Sequence, residues 1–280
     1  MPLGFDILHE DEDCLVVAKP GGLLTQAPLG IDSLEVRIKK FLRERDALEG
    51  DVYLGVPHRL DRPVSGVLVF AKHRKAARKI SNQFEQRRVE KTYWALVQGD
   101  VQPVSGTWID HLKKVEGDPR SVVTDASDPE GQNAILHYRV VKRTELGAGL
   151  LIPPPGTTEG LPRAKEETFG QAFRRGQETR AEREDDLAEL RVRVTLLEIK
   201  LETGRTHQIR IQCGSRGHAL LGDEMYRSPH HFGPPTDDER QRMVALHARS
   251  LAFWNPVSRE VMTFVAPLPE YWPNVETGEK

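Results

Sequence analysis

The chain has 280 residues, of which 38% are hydrophobic, and its 40 Lys and Arg against 42 Asp and Glu give a net charge of −2. This composition excludes wholesale disorder and nucleic-acid binding by bulk positive charge alone, although a local basic groove is compatible with it. The two cysteines, Cys14 and Cys213, form no C-x-x-C pair, which argues against a structural zinc site or an iron–sulfur cluster. The apolar runs are far shorter than the about 20 residues of a membrane-spanning helix, and the acidic N-terminus lacks a signal sequence. We therefore expect a cytoplasmic protein with no membrane contact.

Apolar segments bounded by turn residues predict buried strands in the first half of the chain, at Cys14–Ala18, Gly66–Ala71 and Tyr93–Gln98. Ser33 is a helix N-cap residue, and the apolar residues after it recur at helical spacing. They are Leu34, Ile38, Phe41 and Leu42. A second helix is predicted over His73–Arg88, with many basic residues on its surface.

Two segments rich in β-branched residues, Ala134–Lys142 and Val192–Leu201, predict an antiparallel hairpin. The stretch 153–190 between them differs in composition, because it begins with three prolines and then becomes densely charged with nearly balanced sign. This composition predicts a surface insertion that is disordered or loosely helical, not part of the core.

Near the C-terminus, Thr236 and Glu239 match a capping box for a short helix. Leu246–Trp254 and Val261–Val265 flank an Asn-Pro-containing turn and predict a closing hairpin. Short strands and helices without regular β-α alternation predict an α+β or mixed α/β fold.

The most informative segment is His58–Gly66, H-R-L-D-R-P-V-S-G, which leads directly into a predicted buried strand. Polar loops at the ends of apolar strands are where functional sites are usually built. Asp61, between Arg59 and Arg62, is therefore a candidate catalytic residue. The alternative interpretation is an ordinary turn aspartate between two solvated arginines.

Two further segments carry polar side chains of interest. Glu202–Ile211 surrounds a Gly turn with donors that suit phosphates and base edges, namely Arg205, His207 and Arg210. It could equally be a strand-to-helix connection with surface arginines. Lys91 and Tyr93 stand at the start of a predicted strand, where a tyrosine by itself is more often a core residue than a catalytic one.

Together these segments resemble the ribosomal large subunit pseudouridine synthase A family. The resemblance rests on the catalytic-aspartate motif at 58–66, the K-x-Y-x-A stretch from Lys91 to Ala95, the arginine motif Gly204–Arg210, the opening strand Asp13–Gly21, and the closing hairpin with Leu246-His247-Ala248 and Ala266–Pro269. They occur in the family's order. Val64 stands where the family usually has Thr, and Gln212 where it has His.

The resemblance implies a pseudouridine synthase fold, with a mixed, largely antiparallel central sheet flanked by helices and one RNA-binding cleft. It implies one catalytic domain over residues 1–280, without an N-terminal accessory RNA-binding domain. The implied activity is isomerisation of specific uridines in structured RNA to pseudouridine after base flipping, with no metal or cofactor. Asp61 would be the essential aspartate, Tyr93 would lie against the flipped uracil, and Arg210 would pair with Asp61. Arg59 would enter the stack that the base leaves.

The partner implied is structured RNA, and transfer RNA is favoured over ribosomal RNA because the accessory domain is missing. We expect the protein to act as a monomer. The residues expected to contact RNA are His58, Arg59, Arg62, Lys91, Arg205 and His207.

Parts of the sequence are also compatible with three other functions. A hydrolase would use Ser65 with His58 or His207, but no G-x-S-x-G elbow surrounds Ser65. A metal site would combine His230 and His231 with Asp223 or Glu224. The third alternative is a catalytically weak or inactive RNA-binding or RNA-folding module of the same fold.

Overall fold

The computed structural model describes residues 3–147 and 191–275, so the predicted insertion at 153–190 lies outside the described residues. The strands are β1 (Asp6–Glu10), β2 (Cys14–Lys19), β3 (Ser65–Ala71), β4 (Glu90–Gln98), β5 (Ser105–Lys114), β6 (Ser121–Thr124), β7 (Gln132–Gly147), β8 (Arg191–Leu201), β9 (Leu246–Trp254) and β10 (Val261–Val265). The helices are α1 (Leu34–Arg45), α2 (Arg74–Glu85) and α3 (Gln208–Gly214). None of these helices has the length and apolar character that crossing a bilayer requires.

One sheet contains all ten of these strands, in the order β1-β2-β3-β9-β4-β8-β7-β5-β6, with β10 paired to the outer half of β9. Every pairing is antiparallel except the short parallel contact between β3 and β9. The prediction of an α+β fold with a mixed, largely antiparallel sheet flanked by helices is confirmed. The hairpins β7–β8 and β9–β10 are confirmed as well.

Local signals placed the helix starts correctly. The Ser33 hydroxyl accepts a hydrogen bond from the Val36 N–H at 3.3 Å and caps α1. The ring of His73 does the same for α2 by accepting from the Ala76 N–H at 3.2 Å. This helix ends before the predicted Arg88 because Arg87 has a left-handed backbone (φ 55°), a common way for a helix to stop.

The capping box predicted at Thr236 and Glu239 is wrong. Glu239–Gln241 forms a single 3-10 turn, and its cap is Asp238, whose carboxylate accepts from the Arg240 N–H at 2.9 Å. The Thr236 hydroxyl accepts instead from the Asp238 N–H at 3.2 Å. Thr236 and Glu239 have the spacing of a capping box, but the carboxylate of Asp238 is nearer to the turn and caps it instead.

The core lies on both faces of the central strands. On β4, Ala95 and Val97 belong to one buried cluster with β2 and β3, whereas Trp94 and Leu96 belong to a second cluster that contains Trp272. A strand buried on both faces is expected to be apolar throughout, which explains the continuous run that predicted it.

The parallel contact of β3 with β9 fixes the end of the loop that carries Asp61. Ser65 pairs with His247 and Gly66 with Ala248, and a Cβ on Gly66 would overlap the Ala248 backbone. Gly66 also has a φ of 123°, which side-chain-bearing residues rarely adopt. The buried Ser65 hydroxyl bonds the His247 Nδ1 at 2.9 Å, so it contacts neither of the histidines that the hydrolase alternative required.

Acid is expected to destabilise the protein through His247. Burial lowers the pKa of this histidine from 6.5 to about 4 in the folded state, so the unfolded chain binds more protons between those values. Stability is therefore lost as the pH falls from 6.5, by up to about 1.4 kcal/mol per pH unit. Thermal unfolding of the wild type and of His247→Asn over pH 4.5–7 checks this, with the exposed His137→Asn as the control. If the unfolding temperature depended on pH equally in His247→Asn and His137→Asn, the result would contradict this expectation.

Removal of the predicted insertion is expected to leave the fold intact. β7 and β8 pair as far as Gly147 with Arg191, so the two ends of the intervening segment are neighbours. The closure entropy of a loop changes by only about 0.6 kcal/mol for each doubling of its length. A chain with 153–190 replaced by a short Gly-Ser turn should unfold cooperatively, with a midpoint near that of the wild type. Loss of cooperative unfolding would show that the segment belongs to the core.

Candidate active site

A cavity of about 870 Å³ opens where the three sequence motifs meet. It lies between the loop before β3, the start of β4, and the turn from β8 into α3. The predicted site residues that line it are His58, Arg59, Asp61, Lys91, Tyr93, Arg205, His207 and Arg210. Arg62 lines a neighbouring cavity of about 650 Å³, and Asp61 borders both cavities.

Hydrogen bonds on both sides of Asp61 fix the loop that carries it. Before it, the Leu60 backbone exchanges two hydrogen bonds with the Thr25 hydroxyl, at 2.9 and 3.1 Å. After it, the Asp61 carbonyl accepts from the Val64 N–H at 3.1 Å and closes a turn. The side chain of Asp61 remains 31% exposed, so the carboxylate is held in place and still accessible from the cavity.

Lys19 supports the same loop from inside the protein. Its buried ammonium group donates to the carbonyls of Pro20 at 2.8 Å, Leu23 at 2.7 Å and Arg62 at 3.2 Å. Burial lowers the pKa of Lys19 to about 7, and the charge of Asp61 opposes that shift. Sequence reasoning used Lys19 only as part of the opening strand, because a lysine before Pro gives no local sign of its burial.

Arg210 makes its main pair with Asp223 and not with Asp61. Its Nε and Nη2 both donate to the Asp223 carboxylate at 2.7 Å, whereas its Nη1 is 3.6 Å from the Asp61 Oδ2, an ion-pair contact too long for a hydrogen bond. Burial opposes the charge, but the Asp223 bonds raise the pKa of Arg210. A guanidinium buried this deeply requires a two-pronged partner. Asp223 is fully engaged by it, which also leaves the metal-site alternative without that ligand.

His207 lies inside the site, although the sequence placed it among the RNA contacts. Its side chain is only 11% exposed, and its Nε2 is 3.6 Å from the Asp61 Oδ2. On the other side of the ring, Nδ1 is 3.0 Å from the Tyr226 hydroxyl. The residue precedes α3 with a left-handed backbone (φ 54°), which turns the ring toward the loop of Asp61. Burial lowers the pKa of His207, and the charge of Asp61 opposes this effect.

Tyr93 forms part of the cavity wall close to Asp61. It follows an irregularity in the β4–β9 pairing between Thr92 and Tyr93, the kind of bulge that redirects a side chain. Burial and the charge of Asp61 both raise the pKa of Tyr93. The phenol therefore stays protonated and offers the cavity an aromatic face and a neutral hydroxyl.

Three arginines of the motif segments line the two cavities. Within the described residues, the guanidinium groups of Arg59 and Arg62 have no hydrogen-bond or ion-pair partner, and Arg59 borders both cavities. Arg205 is fixed by a bond from its Nε to the Asn133 carbonyl at 3.0 Å. These positions suit cations that meet phosphates or enter a base stack.

His58 and Lys91 are more enclosed than the sequence suggested. The His58 ring stacks on Phe84 at 4.4 Å between centroids, and its Nε2 accepts from the Val69 N–H at 3.1 Å. Burial lowers the pKa of His58 to about 3, so it presents no positive charge to RNA. The Lys91 Nζ lies 5.9 Å from the centre of the same Phe84 ring, and burial lowers its pKa.

The two departures from the family pattern have structural explanations. Val64 is buried in the main core cluster. Gln212 is buried in α3, and its amide donates to the Asp110 carboxylate at 2.7 Å and so ties the helix to β5.

Sequence reasoning missed Tyr226 altogether and considered Asp223 only as a metal ligand. Both lie between α3 and β9, at the first of the two 3-10 turns of that segment, Glu224–Tyr226. The available signal was an apolar run, Ala219–Leu221, that ends in Gly-Asp, because such a turn places a polar side chain at the end of a buried segment. The signal was too general to single them out.

Comparisons with known proteins identify the family of this chain. A family model described as RNA pseudouridylate synthase matches residues 13–215. The tRNA pseudouridine synthase C of Vibrio parahaemolyticus is 27% identical over 99% of this chain and 95% of its own length. The ribosomal large subunit pseudouridine synthase D of Xylella fastidiosa is 29% identical over 95% of this chain, but only 66% of its own length.

An uncharacterised RNA pseudouridine synthase of Synechocystis, 27% identical over 95% of the chain, likewise has only 66% of its length covered. The chain thus spans about two thirds of these two relatives. Human RNA pseudouridylate synthase domain containing 4 shares the fold, with a TM-score of 0.62, 20% identity, and coverage of 95% of this chain and 89% of its own. The match of the family model over most of the chain shows that the protein belongs to the RNA pseudouridylate synthase family of isomerases.

Proposed function

We propose that this chain isomerises uridine in structured RNA to pseudouridine, with Asp61 as the carboxylate that acts on the sugar. The observation that carries the proposal is the convergence of three distant sequence motifs on one cavity, with Asp61 held between Arg210 and His207. A carboxylate held rigidly and left accessible suits an attacking nucleophile or a base.

The reaction is an isomerisation, so the product has the same atomic composition as the uridine. The N1–C1′ bond breaks, the base turns, C5 joins C1′, and the proton on C5 leaves while N1 gains one. Asp61 acts either as a nucleophile at C1′ or as a base on the sugar. Tyr93 supplies an apolar wall for the uracil and helps to keep water from the detached base. Because nothing is oxidised or hydrolysed, the reaction itself requires no cofactor or metal.

The uridine must leave its stack to enter such a cavity, at a cost of a few kcal/mol. Arg59 is the residue that we assign to the gap. It is exposed, it has no competing partner in the described part of the chain, and it borders both cavities beside Asp61. A planar guanidinium can stack on the neighbouring bases and bond the unpaired one, which offsets part of the cost.

Transfer RNA is the substrate that we favour. The tRNA pseudouridine synthase C relative matches over nearly the full length of both chains, whereas the ribosomal RNA relative extends well beyond the match. We further propose that the protein acts as one catalytic domain, as a monomer in the cytoplasm.

Tritium release tests the activity directly. RNA transcripts labelled with 5-tritiated uridine should release tritium to water in proportion to the pseudouridine formed, because C5 loses its hydrogen. Transcripts labelled at C6 serve as the control and should release none. RNA binding without tritium release from any tRNA or rRNA substrate would favour the alternative, an inactive RNA-binding or RNA-folding module.

The substrate class is tested in cells. Pseudouridine is mapped in total tRNA and rRNA from cells with and without the gene, and with an Asp61→Asn copy restored. Loss of a site in tRNA that only the wild-type copy restores would support the proposal. Loss confined to rRNA would refute the choice of tRNA while leaving the activity in place.

A further inference from the structure

A series of polar contacts runs from Asp61 into the protein through His207 and Tyr226. Neither residue has a role in the reaction proposed above. The Nε2 of His207 is 3.6 Å from the Asp61 Oδ2, and its Nδ1 is 3.0 Å from the Tyr226 hydroxyl. The Tyr226 oxygen in turn accepts from the Ser121 N–H at 3.0 Å. This series of contacts therefore ends at the backbone of β6, which is paired with β5 in the sheet.

The contacts of the Tyr226 hydroxyl and of the Asp61 carboxylate both bear on which ring nitrogen of His207 carries hydrogen. Its single proton can go to the His207 Nδ1 at 3.0 Å or to the Ser121 carbonyl at 3.4 Å, and the shorter contact favours the histidine. A neutral imidazole that accepts at Nδ1 must carry its hydrogen on Nε2, which faces Asp61. The other tautomer would set the Nε2 lone pair against a carboxylate, which is repulsive.

The charges around His207 are consistent with a neutral ring. Arg210 and Arg59 disfavour a second proton, whereas Asp61 and Asp223 favour it, and burial is the largest influence and lowers the pKa. At 3.6 Å the Nε2 of His207 is in polar contact with the carboxylate but beyond hydrogen-bond distance, and a neutral N–H dipole at that distance can orient the carboxylate without cancelling its charge. A protonated imidazole would form an ion pair and weaken Asp61 as a nucleophile or base.

We propose that His207 and Tyr226 are positioning residues for Asp61, in which Tyr226 fixes the tautomer of His207 and the Nε2–H of His207 orients the carboxylate. The nearest carboxylate oxygen to both His207 and Arg210 is Oδ2. Holding Oδ2 from two sides leaves Oδ1 to act on the sugar. This inference rests on the proposed function, because it assigns these residues to the catalytic carboxylate of that reaction.

The first test removes only the Tyr226 hydroxyl. Tyr226→Phe should lower kcat for tritium release about tenfold and leave the Kd for RNA unchanged. Tyr138→Phe is the matched control, because its buried hydroxyl contacts the Pro103 carbonyl at 3.3 Å and lines neither cavity, so its kcat should equal that of the wild type. Normal kcat in Tyr226→Phe would overturn the proposal.

The second test compares two replacements of His207 that share the same left-handed backbone. The amide N–H of His207→Gln can reach toward Asp61, whereas His207→Ala has no donor. We expect the glutamine variant to recover at least severalfold of the kcat that alanine loses, with equal Kd for RNA. Equal loss of kcat in both variants would indicate a merely structural role. Weakened RNA binding with normal kcat would return His207 to the RNA contacts, and either result would overturn the proposal.

A third test needs no activity. In protein labelled with ¹⁵N-histidine, the ring-nitrogen shifts report which nitrogen carries hydrogen, and His207→Gln identifies the signal. Nε2 should be protonated in the wild type, and a mixture of tautomers should appear in Tyr226→Phe. Hydrogen on Nδ1 in the wild type would refute the inference. Failure of the proposed function would appear separately, as a wild type that releases no tritium.

Discussion

Asp61→Asn is expected to abolish pseudouridine formation and to leave RNA binding largely intact. The substitution conserves size, so the loop held by Thr25 and Lys19 should keep its shape, but the nucleophilic or basic oxygen is lost. RNA affinity comes mostly from phosphate contacts, which the amide does not touch. Tritium release and RNA binding measured side by side check this expectation.

The control for this experiment is Asp51→Asn. Asp51 is fully exposed and lies outside both cavities, so the same chemical change there should leave kcat and Kd unchanged. Turnover by Asp61→Asn within tenfold of the wild type would show that Asp61 is not the catalytic carboxylate.

Arg210→Lys is expected to lower kcat at least tenfold, equivalent to about 1.4 kcal/mol of barrier, although it conserves the charge. The Arg210 guanidinium donates two hydrogen bonds to Asp223, and its third nitrogen, Nη1, is 3.6 Å from the Asp61 carboxylate. A lysine is a single point charge and cannot serve both carboxylates in that geometry. The buried Asp223 would lose part of its bonding, so stability should also fall by about 1–3 kcal/mol.

The matched control is Arg216→Lys. Arg216 forms a comparable two-pronged pair with Asp110, at 2.8 and 3.2 Å, just beyond α3 and outside both cavities. This variant should lose some stability and keep its kcat. If Arg210→Lys instead kept normal turnover and bound RNA weakly, Arg210 would belong on a phosphate and not beside Asp61.

Sequence patterns were most informative where neighbouring residues determine the structure. The Ser33 cap, the strand at Tyr93–Gln98 and the closing hairpin each depend on spacing over a few residues or on one turn. The end of α2 was misplaced because the left-handed backbone of Arg87 has no compositional signal. The false capping box had the same origin, since two residues within a short span, Thr236 and Asp238, could each have supplied the cap.

The same distinction between local and long-range information applies to the candidate site. The motifs alone assign Asp61, Tyr93 and Arg210 to one family pattern, because each stands in a recognisable motif. The partners of these residues follow from the fold: Asp223 binds Arg210, and His207 lies beside Asp61. Those contacts join segments that are distant along the chain, and a buried charge selects its partner by distance and geometry in space, which local sequence does not encode.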